Sequence, residues 1–335
     1  MAHEIGEMFY YGDQPWHKLG KRLDRPATLD EALAHGGLDW EVELLPLAVA
    51  AEADSLAPQR RAVVRKDRKP GDPGRVIGVV HPGFRPLQNR EGLQLFDALL
   101  GRGEPVYHTG GYLRQGEVVW LLARIPGDIV LHGEDVIQPY LLYSNSHDGS
   151  RAIDFRLTTV RVVCQNTLSL ALSPKARSLA LRRGHSGSYR LLAEEAKSFF
   201  DFVTRQCDET RAFFTKLSQA GCDQRAFDRF VSRLLPDPAR PLTASSNPRV
   251  RRAFETRIAS LVADRQEIAT VFAQGIPEMQ IDAVGENWWG AINAVTAWVD
   301  HKQCIKGDRY VHRMFGSGDA LKSSALKMIG TGLSQ

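Results

Sequence analysis

The sequence predicts an α+β protein: an N-terminal antiparallel β-sheet with hairpins and one or two packed helices, followed by a mainly helical C-terminal region. Two patterns carry that reading. Short β-branched runs bounded by Pro, Gly or Asp fill roughly the first 160 residues. Beyond Arg161, apolar residues recur mostly at helical spacing. A chain of 335 residues exceeds one ordinary core, so the expected division is an α+β core over 1–174, a basic loop over 175–188 and a helical region over 189–335, with a Pro-rich linker near 236–248.

The elements follow in order. Trp40 to Val49, Arg61 to Arg65 and Arg75 to His81 read as strands. Pro82 to Gln88 reads as a loop, and Asn89 as the cap of a helix whose Leu93, Phe96, Leu99 and Leu100 form an apolar stripe ended by Gly101 and Gly103. Val106 to Leu113 and Glu117 to Ile125 form a hairpin across Arg114-Gln115-Gly116, with Gly where a positive φ is needed. Val136 to Tyr143 and Arg151 to Thr159 form a second hairpin across the turn Ser144 to Ser150. Alternation in its return strand separates Ile153, Phe155 and Leu157 from Ala152, Asp154, Arg156 and Thr158, which predicts a buried Phe155 and an exposed Arg156. A helix is expected from Val162 to Leu172, a mobile loop from Lys175 to Ser188, and further helices over Tyr189 to Ser218, Gln224 to Leu235, Val250 to Gln274 and Asn287 to Lys302.

Charge is unevenly placed. Between Ser150 and Arg190, eight bases (Arg151, Arg156, Arg161, Lys175, Arg177, Arg182, Arg183 and Arg190) face the single acid Asp154. This stretch therefore carries +7 while the whole chain carries +4, leaving −3 for the remainder. A local cationic field on a nearly neutral protein attracts polyanions, because each neutralised phosphate releases condensed counterions. A solvated helix face with a basic loop has the same composition. Lys302, Lys306, Arg309, Arg313, Lys322 and Lys327 are a candidate extension of the field.

Several chemistries are disfavoured. The chain has no phosphate loop of the G-x-x-x-x-G-K-[ST] type, no G-x-G-x-x-G, no H-E-x-x-H and no G-x-S-x-G. Cys164, Cys207, Cys222 and Cys304 lack a paired spacing and read as reduced and mostly buried. No apolar run reaches a membrane-spanning length of about 18–20 residues, and the first residues do not resemble a signal peptide, so a cytoplasmic protein without membrane contact is expected. No cofactor or metal is expected.

Four motifs are candidates for function. His147 and Asp148 in the Ser144 to Ser150 turn make an acid–base pair that, with Cys164 as nucleophile, sketches a cysteine or histidine hydrolase. The same Asn, Asp, Gly and Ser residues are those a tight turn requires. Thr158 to Thr167, containing Arg161 and Asn166, offers hydroxyl, amide and guanidinium donors to phosphates. The aromatic run Phe9-Tyr10-Tyr11, continued by Trp16, reads as an arm packed on a neighbouring subunit rather than a base-stacking platform, and Trp288-Trp289 as core or interface.

The opening Met1-Ala2-His3-Glu4, the run Trp16-His17-Lys18-Leu19-Gly20, the loop Pro86-Leu87-Gln88-Asn89 and the block Ser144 to Thr167 together resemble the phage/plasmid-like protein family, domain of unknown function family 932, from the N-terminus to about residue 320. The resemblance implies a laterally transferred element as context. At fold level, hairpins lined with basic residues and backed by a helix are similar to the single-strand annealing proteins of phages. The resulting expectation is an ATP-independent, homo-oligomeric, single-stranded DNA binding and annealing protein in recombination or repair. Arg151, Arg156 and Arg161 would hold phosphates, Lys175, Arg177, Arg182 and Arg183 a clamp, and His147 and Asn166 would add polar contacts. Seven neutralised phosphates imply a log K versus log salt slope of about −5. A hydrolase or nuclease, with His147, Asp148 and Cys164 as catalytic residues, and a module that meets a host-defence protein are the alternatives.

Overall fold

The computed structural model describes residues 5–12, 19–49, 52–100, 106–131, 135–161, 166–169, 180–186, 205, 207–241, 247–279, 281–305, 312–313 and 316–332. The protein is α+β, with strands and hairpins in the N-terminal half and helices mainly in the C-terminal half. It divides into two compact units, each discontinuous in sequence: 1–128 with 138–158 and 175–207, and 129–137 with 159–174 and 208–335.

The first unit contains β1 (Ile5–Tyr11), β2 (Lys21–Leu23), α1 (Leu29–His35), β3 (Val42–Val49), β4 (Glu52–Arg65), β5 (Val76–Val80), α2 (Asn89–Leu100), β6 (Val106–Leu113) and β7 (Val118–Arg124). Strands β9 (Asp135–Ser146) and β10 (Ile153–Arg161) lie in it for most of their length, and β12 (Ala180–Arg183) closes it. Its larger sheet runs β10-β9-β7-β6-β1-β2, with β12 pairing β10, and β3-β4-β5 form a separate antiparallel sheet. The β6–β7 hairpin turns where the sequence requires it, with Arg114 at φ 57° and Gly116 at φ 118°.

Helix α2 supplies the apolar centre of this unit. Phe96, fully buried, lies 5.8 Å from the Tyr143 ring, 6.1 Å from Phe155 and 6.2 Å from Tyr107. Burying a side chain of this kind contributes about 1.5–3 kcal/mol. The helix starts at Asn89 but is not capped by it. The Asn89 amide is fully buried and donates to the Leu38 and Trp40 carbonyls, while the Glu91 carboxylate accepts from the Gln88 backbone N–H. Two inward carbonyls, of which Leu38 also accepts from the Trp40 N–H, take the side chain that the sequence assigns to the cap.

The N-terminal aromatics also differ from expectation. Phe9 and Tyr10 are buried in β1, which pairs with β6 of the same chain, so their packing is intramolecular. The expected helix after Arg161 is replaced, where described, by strand β11 (Asn166–Ser169), and β12 occupies part of the expected loop. In β12, Ala180 to Arg183 pair with Arg156 to Ile153. Backbone ladder bonds satisfy a strand irrespective of side-chain periodicity, which is why Ala180-Leu181-Arg182-Arg183 leaves no amphipathic signature.

The second unit holds β8 (Ile129–Leu131), paired with Asp135 to Ile137, and the strand β11. Its helices are α3 (residues 207–219), α4 (Gln224–Leu234), α5 (Pro248–Gln274), α6 (Trp288–Ala297) and α7 (Ser317–Gly332). Asp223, Asn247 and Asn287 cap α4, α5 and α6 through their side chains. Phe227 of α4 stacks on Phe272 of α5 at 3.9 Å, and α6 is buried around its circumference. The indole N–H groups of Trp289 and Trp298 donate to Asp135 and Glu267, so these two tryptophans satisfy their polar edges inside the unit.

A π-helical turn (Trp298–Lys302) follows α6 and presents Asp300 to Lys322 of α7 at 2.8 Å, with both side chains at 2 % exposure or less. Lys322 is thus interior and neutralised, Lys302 is bound by Glu278, and Arg313 is buried. These three cations are not part of an exposed field. Lys306 and Arg309 lie outside the described residues. Cys207 and Cys222 are buried and Cys304 is exposed, none of them in a disulfide among the described residues, whereas Cys164 lies outside the described residues. Among the described residues, no helix is long and apolar enough to cross a membrane.

Candidate nucleic-acid interface

A cleft of about 720 Å³ opens in the first unit. Its walls come from the end of β5 with the following loop (Val79, His81, Phe84), from Arg60 of β4, from the turn Asp148 to Ala152 and from Gly184 to Ser186 after β12.

The turn is built from short side chains that bond their own backbone. Asp148 Oδ1 accepts from the Ser150 N–H at 2.9 Å, and Gly149 adopts φ 74°, which its neighbours would tolerate poorly. Ser146 Oγ both accepts from the Arg151 N–H and donates to the Arg151 carbonyl, each at 2.9 Å, and so fixes the backbone from which Arg151 projects. Beneath it, the Asn145 amide donates to the Leu87 carbonyl. Gly78 of β5 sits against this turn. A Cβ there would lie 2.6 Å from Asp148 Cα and 3.1 Å from the His147 carbonyl, so the strand position requires glycine.

His147 points the other way, into the core. It is fully buried, its ring lies 5.2 Å from Trp40, and its Nε2 is 2.8 Å from Asn89 Oδ1. Because the Asn89 amide nitrogen donates to two carbonyls, its oxygen is the acceptor and His147 Nε2 carries the hydrogen. His147 Nδ1 is then unprotonated, and among the described residues it has no hydrogen-bond partner. Burial, reinforced by His185 and Arg65, pushes the His147 pKa down to about 3. The imidazole is therefore a neutral core group. It does not reach the cleft, and it diverges from Asp148, whose carboxylate closes the turn. Both proposed roles of His147, phosphate contact and partner of Asp148, are corrected by this burial.

Arg65 completes the core beneath the turn. Its guanidinium lies 4.1 Å over the Trp40 ring, bonds Asp67 through two nitrogens and donates to the Gln115 carbonyl. This arginine is structural, and its charge is spent inside the fold.

On the cleft side, Phe84 and His185 stack at 4.4 Å and 26°. His185 is held by its backbone, which accepts from the Arg85 N–H at 2.8 Å, and burial lowers its pKa against the pull of the Arg85 and Arg151 carbonyls. Arg151 is half-buried. Desolvation lowers its pKa, Arg156 and Arg114 push the same way, and Asp148 and Asp154 oppose them. A guanidinium held among like charges in a partly dry site gains more from an arriving anion than a solvated one does.

The sequence-predicted residues separate as follows. Arg151 lines the cleft, and exposed Arg183 immediately precedes the lining residue Gly184. Arg156 does not match its expected exposure. Its side chain is 15 % exposed and lies 3.3 Å from Asp154, which is 7 % exposed. Alternation separates two faces of β10, but Asp154 and Thr158 show that the polar face is covered as well. Arg182 lies in β12, with its side chain outside the described residues, as do Lys175, Arg177 and Cys164 altogether. Arg161 and Asn166 sit in β10 and β11, within the second unit. Arg60, His81, Phe84 and His185 were not singled out by sequence, although Phe84-Arg85 in a Pro- and Gly-bounded loop and His185 between Gly184 and Gly187 carried the signal of aromatic and basic groups on turns.

The fold and cleft define an α+β protein with an open, arginine-bearing cleft in its first unit. The chain belongs to the family described as domain of unknown function (DUF932), whose model matches residues 76–316. The match takes in three walls of the cleft and leaves out Arg60. No curated protein and no solved structure matches the chain.

Proposed function

We propose that this protein binds single-stranded DNA without ATP, acting as a homo-oligomer in recombination or repair of a laterally transferred element, and that the strand lies in the cleft between β5 and the Asp148 turn. The observation that carries this reading is the chemistry of the lining: Arg60 and Arg151 with, among the described residues, a single acid, Asp148, beside the exposed His81 ring and an exposed Val79. Arginines track a phosphodiester backbone, and rings with apolar side chains accept bases regardless of sequence. An open cleft favours a polymer over a small enclosed substrate. The inward His147 leaves the His147–Asp148 hydrolase sketch without an accessible base.

The test is oligo-dT binding over a salt series. Arg60, Arg85, Arg151 and Arg183 at and beside the cleft give about four phosphates and a log–log slope of about −3 at the single-strand coefficient of about −0.7. Arg60→Gln with Arg151→Gln should weaken binding at least tenfold and halve the slope. A slope near zero, or full binding by that double variant, overturns the proposal.

A further inference from the structure

A second site lies wholly within the helical unit. Helix α4 places Arg225, Arg229 and Arg233 four residues apart on one exposed face. Like charges at this spacing repel by a few tenths of a kcal/mol per pair, so helix stability does not account for them. Among the described residues, none of the three forms an ion pair. Beside them, α4, the start of α6 and the end of α7 enclose a groove of about 280 Å³ lined by Arg229, Arg233, Phe230, Trp288, Met328 and Ile329. The Trp288 ring meets Phe230 edge-on at 5.8 Å and 90°, and among the described residues the only charged lining groups are the two arginines.

We propose that this groove docks an acidic peptide segment of a partner protein, with one bulky apolar side chain seated among Phe230, Trp288 and Met328 and neighbouring carboxylates on Arg229 and Arg233. Charge complementarity selects the occupant. The arginine row spans about 12 Å along the helix, at 1.5 Å per residue, and faces successive carboxylates of one short segment. The apolar niche accepts a single side chain, and a methionine in its wall adapts to the shape of that chain. A nucleic-acid strand needs a continuous track with room for successive bases, which a 280 Å³ niche does not offer. The site is independent of the cleft in the first unit.

Fluorescence anisotropy of the intact protein with a labelled octapeptide of seven aspartates and a terminal phenylalanine tests this. Saturable binding is expected, at least tenfold weaker for the all-aspartate octapeptide and at least tenfold weaker in Arg229→Gln with Arg233→Gln. Both arginines are exposed, and an unchanged thermal midpoint confirms that the variant is folded. Oligo-dT binding by that variant should equal the wild type, which separates this result from the fate of the DNA-binding proposal. Absence of saturable binding, equal affinity for the all-aspartate peptide, or loss of oligo-dT binding in the variant each overturns the peptide site.

Discussion

His147 shows how far one side chain's environment can depart from its apparent role. As a His next to an Asp in a polar turn it has the composition of a catalytic pair, yet its ring is committed to Asn89 and Trp40 in the interior. Its folded pKa of about 3 lies below the ordinary 6.5, so the unfolded chain takes up the proton first. Its contribution to stability is therefore complete above about pH 6.5 and is lost as pH falls toward 3, at about 1.4 kcal/mol per pH unit. Urea unfolding at pH 6.5 and 5 should show His147→Asn losing about 2 kcal/mol less than the wild type between the two, and equal losses would refute the assignment. Arg151 was legible from charge alone, because eight bases against one acid is a local count. Arg60, Phe84 and His185 were not, because no local pattern records that three segments distant in sequence meet around one cleft.

At the scale of elements, legibility follows the range of the interaction that forms each one. The β6–β7 hairpin and helices α4, α5 and α6 were readable, since turn residues, caps and periodicity act within a few residues. Strands β11 and β12 were hidden because a pairing partner elsewhere in the chain determines them. The joint between the π-helical turn and α7 rests on Asp300 and Lys322. Removing one partner leaves a buried charge, so Lys322→Ala should cost about 3–5 kcal/mol in chemical denaturation. Lys322→Met combined with Asp300→Leu should cost less than Lys322→Ala alone, because apolar groups of similar volume do not strand a charge. The reverse order would show that the ion pair itself, rather than its integrity, holds α7.

For the whole molecule, a formal charge of +4 conceals the separation between cations that meet solvent and cations consumed by the fold. Arg65, Arg156 and Lys322 belong to the second group, and Arg60, Arg183, Arg229 and Arg233 to the first. Under the proposed function, light scattering with and without a forty-nucleotide oligonucleotide should report a homo-oligomer that gains mass on DNA, and a monomer indifferent to DNA would count against it. The close seating of Gly78 against the turn has a bearing on how such a ligand is received. Where strand meets turn, peptide rests on peptide with no rotamer in between, so the gap between those two walls is a fixed dimension of the chain trace. An incoming strand would find that aperture already set, and the free energy of association would not be reduced by assembling it.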